Sequence, residues 1–136
     1  MIAPSGMDNH QLGVLIREAA TTMVEDQSGF WKFEGGDSLV FVITDTSRNR
    51  MRMMTPVAEL DSLSSEQIQA VLAANYDRAM DSRYCANNNV LWSAFLHPLA
   101  ELRSYQFHDA LDQVVMLSRN FGGTYTSSGI VFGGDT

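Results

Sequence analysis

The chain has 136 residues, of which 45 % are hydrophobic and 18 % charged, a makeup that excludes a disordered segment and suits one globular domain able to bury a core without metal or disulfides. Its net charge of −7, from 16 acids against 9 bases, opposes a phosphate backbone and excludes general nucleic-acid binding. The single cysteine, Cys85, excludes an internal disulfide framework, and the longest apolar run, Leu39 to Ile43, is far short of the roughly 20 residues that cross a bilayer.

Residues 1–7 read as a flexible lead-in, and Met1 to Gly13 lacks the basic segment and apolar run of a signal peptide, so a cytoplasmic location is expected. From Asp8 the spacing turns helical. Leu12, Leu15, Ile16, Ala19, Ala20 and Met23 form one apolar stripe, with Asp8 and Gln11 at capping positions and Gly29 as the stop. Phe30 to Glu34 then alternates as a strand. A three-residue loop, Gly35-Gly36-Asp37, sets Phe33 opposite Leu39 and Trp31 opposite Phe41. Leu39–Ile43 and Arg50–Val57 make the next antiparallel pair, joined by Asp45 to Asn49. With Thr44 facing Arg50, Ile43 lies opposite Met51 and Phe41 opposite Met53. The expected core face therefore carries Trp31, Phe33, Leu39, Phe41, Ile43, Met51 and Met53. The far face carries Phe30, Lys32, Val40, Val42, Arg52 and Met54.

Pro56 suits the end of an outer strand, because it cannot donate to a ladder. Ser64 starts a second helix with Gln67 at the box position, and Ile68, Val71, Leu72, Asn75, Tyr76 and Ala79 follow helical spacing. Asn75 interrupts that stripe with a polar group, which points to a bond with a nearby carbonyl. Arg83–Ala86 and Asn89–Leu96 form a second hairpin across Asn87-Asn88, since asparagine tolerates the positive dihedrals of a tight turn. Val90, Trp92, Ala94 and Leu96 share one face of it; Leu91, Ser93, Phe95 and His97 share the other. A third helix starts near Ser104 and ends at Gly122-Gly123. Residues 124–136 form a tail containing Ile130-Val131-Phe132.

Little here points to catalysis. His10, His97 and His108 do not stand at ligand spacing, so no metal site is expected. The pairs Asp109/Asp112 and Asp77/Asp81 read as solvated helix surface. Ser127-Ser128-Gly129 lacks the strand-to-helix setting of a nucleophile elbow, and the Gly-Gly pairs are turn and cap residues rather than a phosphate loop. Cys85 reads as a core residue. Arg48, Arg50 and Arg52 form the one local positive cluster, read first as edge charges that discourage strand pairing. No enzyme activity and no cofactor are expected.

The element order (helix, three strands, helix, two strands, helix) predicts an α+β fold, an antiparallel sheet with helices on one face, in a single domain over 1–136. In that order, and in Leu39-Val40-Phe41-Val42, Arg50-Met51-Arg52-Met53-Met54-Thr55-Pro56-Val57, Leu72-Ala73-Ala74-Asn75-Tyr76-Asp77, Leu91-Trp92 and His97-Pro98-Leu99, the chain resembles the bacterial type III secretion chaperone-like superfamily, and within it the YbjN-type branch. The resemblance implies an acidic homodimer that holds extended segments of partner proteins, with Val71, Leu72, Asn75 and Tyr76 at the dimer interface.

Apolar residues on both faces of the strands, with helices to cover only one, mean that something must cover or bind the second face. A protein segment would bind the helix-free face through Phe30, Val40, Val42, Met54, Leu91 and Phe95, with Arg50 and Arg52 setting its orientation. The alternative is a small-molecule sensor with a pocket between the helices and the sheet. Partners are then a protein client and a second copy of the chain, with neither nucleic acid nor membrane.

Overall fold

The computed structural model describes residues 6–77 and 80–121. Helix α1 (Asn9–Ala19) begins as expected, the Asp8 carboxylate accepting the Gln11 amide at 2.8 Å and so satisfying one of the donors a helix leaves open at its first turn. Met7, expected in a loose lead-in, is buried, and its amide donates to the Ala100 carbonyl at 3.0 Å. The helix ends well before Gly29. Thr21, Thr22 and Val24 are β-branched and favour extended backbone, and the chain continues as a strand, β1 (Thr22–Gln27).

There follow β2 (Phe30–Gly35), β3 (Ser38–Asp45), β4 (Arg50–Glu59), α2 (Ser65–Asp77), β5 (Arg83–Asn87), β6 (Val90–Pro98) and α3 (Ser104–Arg119). This is the expected α+β arrangement, with β1 adding a sixth strand to an antiparallel sheet of order β1-β2-β3-β4-β6-β5. Pro56 is thus in an interior strand rather than an outer one. It is tolerated there because the ladder slips by a bulge between Pro56 and Ala58.

One sheet face is packed by all three helices. The cross-strand neighbours Trp31, Val42, Met53 and Phe95 form a row over four strands, covered by Leu12 and Ile16 of α1 and Phe107 and Val114 of α3. A second cluster joins Val71 and Ala74 of α2 to Tyr84, Leu91 and Leu117. The expected capping box starts α2: the Ser64 amide donates to Gln67 Oε1 at 2.8 Å, and the Gln67 amide to Ser64 Oγ at 3.1 Å. Asn75 pins α2 to β5, donating from Nδ2 to the Tyr84 carbonyl (3.0 Å) and accepting the Tyr84 amide (2.8 Å). Buried Gln113 of α3, not foreseen among that helix's apolar positions, accepts the amides of Asp81 and Ser82 at 2.8 and 3.2 Å.

The expected register fails at β3. Gly36 and Asp37 both have positive φ (56° and 71°) and form a two-residue hairpin loop, with Gly35 rather than Glu34 opposite Ser38. At the other end the Asp45 carboxylate accepts from the Ser47 hydroxyl and the Arg48 amide, at 2.7 and 3.2 Å. The short 3-10 turn Thr46–Arg48 that this caps closes on Asn49 at φ 55°, and Asp45 faces Arg50. Each loop is one residue shorter than expected, and each reverses β3 against its neighbour. The two reversals leave β2 and β4 as expected, with Trp31, Phe33, Met51 and Met53 in the core. Of these three strands β3 alone is inverted: Val40 and Val42 point into the core, while Leu39, Phe41 and Ile43 lie on the far side.

The β5–β6 hairpin turns one residue later than expected, through Asn88 and Asn89 (φ 52° and 64°). The expected C-terminal stop at Gly122-Gly123 and the 124–136 tail lie outside the described residues.

Candidate functional site: the helix-free sheet face

Because strand side chains alternate, fixing one face fixes the other. Opposite the helices, Arg83, Ala94, Met54, Phe41, Lys32 and Glu25 are successive cross-strand neighbours over all six strands. The adjacent row is Leu96, Arg52, Ile43, Phe30 and Gln27. Phe41 is the centre of an aromatic file. Its ring meets Phe30 edge-on at 6.3 Å and Trp92 edge-on at 5.5 Å, and Lys32 Nζ stands 5.4 Å from its centroid. These side chains shield one another, so Phe30, Phe41, Met54 and Trp92 are half-buried, Ala94 is buried, and Leu96 remains 58 % exposed.

The charges on this face are unevenly matched. Arg48 is held by Asp45, Nη1 to Oδ2 at 3.3 Å. Arg50 and Arg52 are exposed and make neither an ion pair nor a side-chain hydrogen bond among the described residues. With Ile43, Thr44 and Met51 these arginines line a hollow of about 600 Å³ beside the β3–β4 turn. The Ser47 hydroxyl, helped by the amide and charge of Arg48, holds the Asp45 carboxyl below its ordinary value despite some desolvation.

Of the residues expected to meet a partner, Phe30, Arg50, Arg52 and Met54 are on this face. Val40 and Val42 (both 0 % exposed), Leu91 (5 %) and Phe95 (7 %) are not; they lie beneath the helices and cannot touch a partner without unfolding. Phe41, Ile43, Trp92 and Leu96 take their places. The signal that could have found them was the count of loop residues, since Leu39–Ile43 and Val90–Leu96 carry too few polar side chains to reveal their own orientation.

The expected dimer set also divides. Val71 is buried in the second cluster, and Asn75 is committed to Tyr84. Leu72 (63 %) and Tyr76 (91 %) are exposed, and with Ile68 (39 %) they form an i, i+4, i+8 stripe on the outer side of α2.

Cys85 is not a core residue: it is exposed and lies opposite Trp92 on the helix-free face. Desolvation nonetheless pushes its thiol pKa up, against the pull of Arg52, which is the reverse of nucleophile activation. Among the described residues no group of three or more His, Cys, Asp or Glu side chains could hold a metal ion, and no helix is long and apolar enough to cross a membrane. The space between helices and mid-sheet is filled by Trp31, Phe33, Met53 and Phe107. A cleft of about 660 Å³ lies at its margin, between α3, Ala19 and the Gly35-Gly36 turn.

Solved structures that share this fold include two complexes. The first is "Crystal Structure of the ExsC-ExsE Complex", with a TM-score of 0.62 and 14 % identity, covering 82 % of this chain and 92 % of the matched one. The second is "Structure of the HopA1-SchA Chaperone-Effector Complex", with a TM-score of 0.61 and 10 % identity, covering 81 % and 88 %. No family model matches the chain, and no curated protein matches it in sequence. The chain shares the fold of the proteins in these two structures.

Proposed function

We propose that this chain is a non-enzymatic, chaperone-like protein of the YbjN-type branch, a single domain that holds an extended segment of a client protein on its helix-free sheet face. The observation carrying this reading is the aromatic file Phe30–Phe41–Trp92, flanked by Met54, Ile43 and Leu96, on a face that none of the described helices covers. An apolar surface of this kind on an otherwise charged protein is characteristic of an interaction site. Half-buried aromatics set in a sheet are rigid anchors, which lose little side-chain freedom when a partner arrives. Chaperone–effector assembly among proteins of this fold supports the same reading. The outer stripe of α2, Ile68, Leu72 and Tyr76, is the surface for a second copy, giving a homodimer with client faces left free.

Site-specific photocrosslinking tests the proposal. A photoreactive residue replaces Leu96 (58 % exposed) in one variant and Tyr105 of α3 (68 % exposed) in another, in cells that make the full chain. The expected result is a discrete crosslinked polypeptide from position 96 and none from 105. Equal labelling at both, or crosslinks at 96 only to the chain itself, contradicts client binding on this face.

A further inference from the structure

Resting on that reading, we infer that the segment taken by the helix-free face carries acidic side chains at two successive alternate positions, followed by large apolar side chains at the next two. The argument begins with β4. Its helix-free side presents Arg50, Arg52, Met54 and Pro56 in turn, two residues or about 6.8 Å apart. An extended segment lying along β4 has the same repeat, so its alternate side chains meet these four one by one.

The two ends of this file differ in chemistry. At the Pro56 end the surroundings are aromatic, with Trp92 directly across from Pro56 and Phe41 across from Met54. At the Arg50 end are two exposed guanidinium groups that nothing among the described residues neutralises. Asp45 is the cross-strand neighbour of Arg50, yet its carboxylate is turned to Ser47 and Arg48.

The other cations nearby are engaged. Lys32 stands over the Phe41 ring, and Arg83 donates to the carbonyls of Met80 and Ser82. On a chain of net charge −7 this leaves a local cationic pair beside an apolar strip. A carboxylate is the matching group, because the planar guanidinium fork donates to both of its oxygens. A basic segment would meet like charge, and a neutral one would leave both arginines partly desolvated without a partner.

An array of nine-residue peptides tests the inference with the dye-labelled full chain. Serine occupies one set of alternate positions; the other set carries two test residues and then leucine and phenylalanine, in both chain directions. The test residues are Glu, Gln or Lys. The glutamate peptides are expected to retain about tenfold more protein than the lysine peptides. The Arg50→Gln/Arg52→Gln variant should lose that preference, and Arg50→Glu/Arg52→Glu should reverse it, with melting temperatures unchanged because both side chains are exposed.

Equal retention of Glu, Gln and Lys peptides refutes the acidic pattern while leaving apolar client binding intact. Failure to retain any peptide removes both this inference and the reading it rests on. Self-association in sedimentation that Arg52→Glu abolishes would instead assign the face to a second copy and overturn the inference.

Discussion

Phe95 and Leu96 are neighbours in β6 that point to opposite sides of the sheet, and their alanine variants test which side is packed. Phe95 is 7 % exposed, sits beside Met53 in the central row and stacks on His97 at 5.6 Å. Truncating such a buried phenylalanine costs about 3–5 kcal/mol, from lost transfer energy and the cavity left behind. Leu96 already has 58 % of its surface in water. Leu96→Ala therefore forfeits less than half of a full leucine burial, about 1 kcal/mol or less. For a chain of this size each kcal/mol moves the melting temperature by about 3–5 °C. Phe95→Ala should thus melt roughly 10–20 °C below the wild type, and Leu96→Ala within about 5 °C of it. Thermal and urea unfolding followed by circular dichroism would measure both, and the urea slope would show whether unfolding remains two-state. If Leu96→Ala proves as costly as Phe95→Ala, the assignment of faces is wrong, and the client surface goes with it.

Three further outcomes are expected. Asn75→Ala removes both bonds to the Tyr84 backbone; a loss of about 1–3 kcal/mol is expected, with faster hydrogen exchange at the Tyr84 amide. Leu72→Glu with Tyr76→Glu should halve the mass seen by light scattering while leaving circular dichroism unchanged, because both side chains are exposed; a dimer that survives would show that copies pair elsewhere. The depressed pKa of Asp45 means that its bonds hold the β3–β4 turn above the ordinary carboxylate value of 3.8 and are lost as pH falls through the lower folded value. The Arg48 amide resonance should therefore titrate below 3.8 in the wild type and not at all in Asp45→Asn.

Much of this architecture can be read from local chemistry. The cap at Asp8, the Ser64/Gln67 box and the burial of Trp31, Phe33, Met51 and Met53 follow from residue type and spacing, since each depends on neighbours within a few positions or on a clear alternation. Strand β1 was hidden because Met23 continues the apolar spacing of α1, and only pairing with β2 makes Thr22–Gln27 extended. Gln113 could not be foreseen as a core residue, because its partners, the amides of Asp81 and Ser82, lie far away in the chain.

What local pattern left open was the orientation of β3 and β6. Leu39–Ile43 is apolar at every position, so either face satisfies the hydrophobic effect, and the choice falls to the loops. Gly36-Asp37 closes the first in two residues, and the Asp45 cap draws that residue into the strand at the second. Composition and alternation thus determined that the sheet would have two greasy sides and that three helices could shelter one of them. Which side carries Phe41, Trp92 and Leu96 beside Arg50 and Arg52 was decided by tertiary structure alone. A one-residue change in a turn exchanges every side chain of a strand between core and surface, and only packed partners penalise the wrong choice.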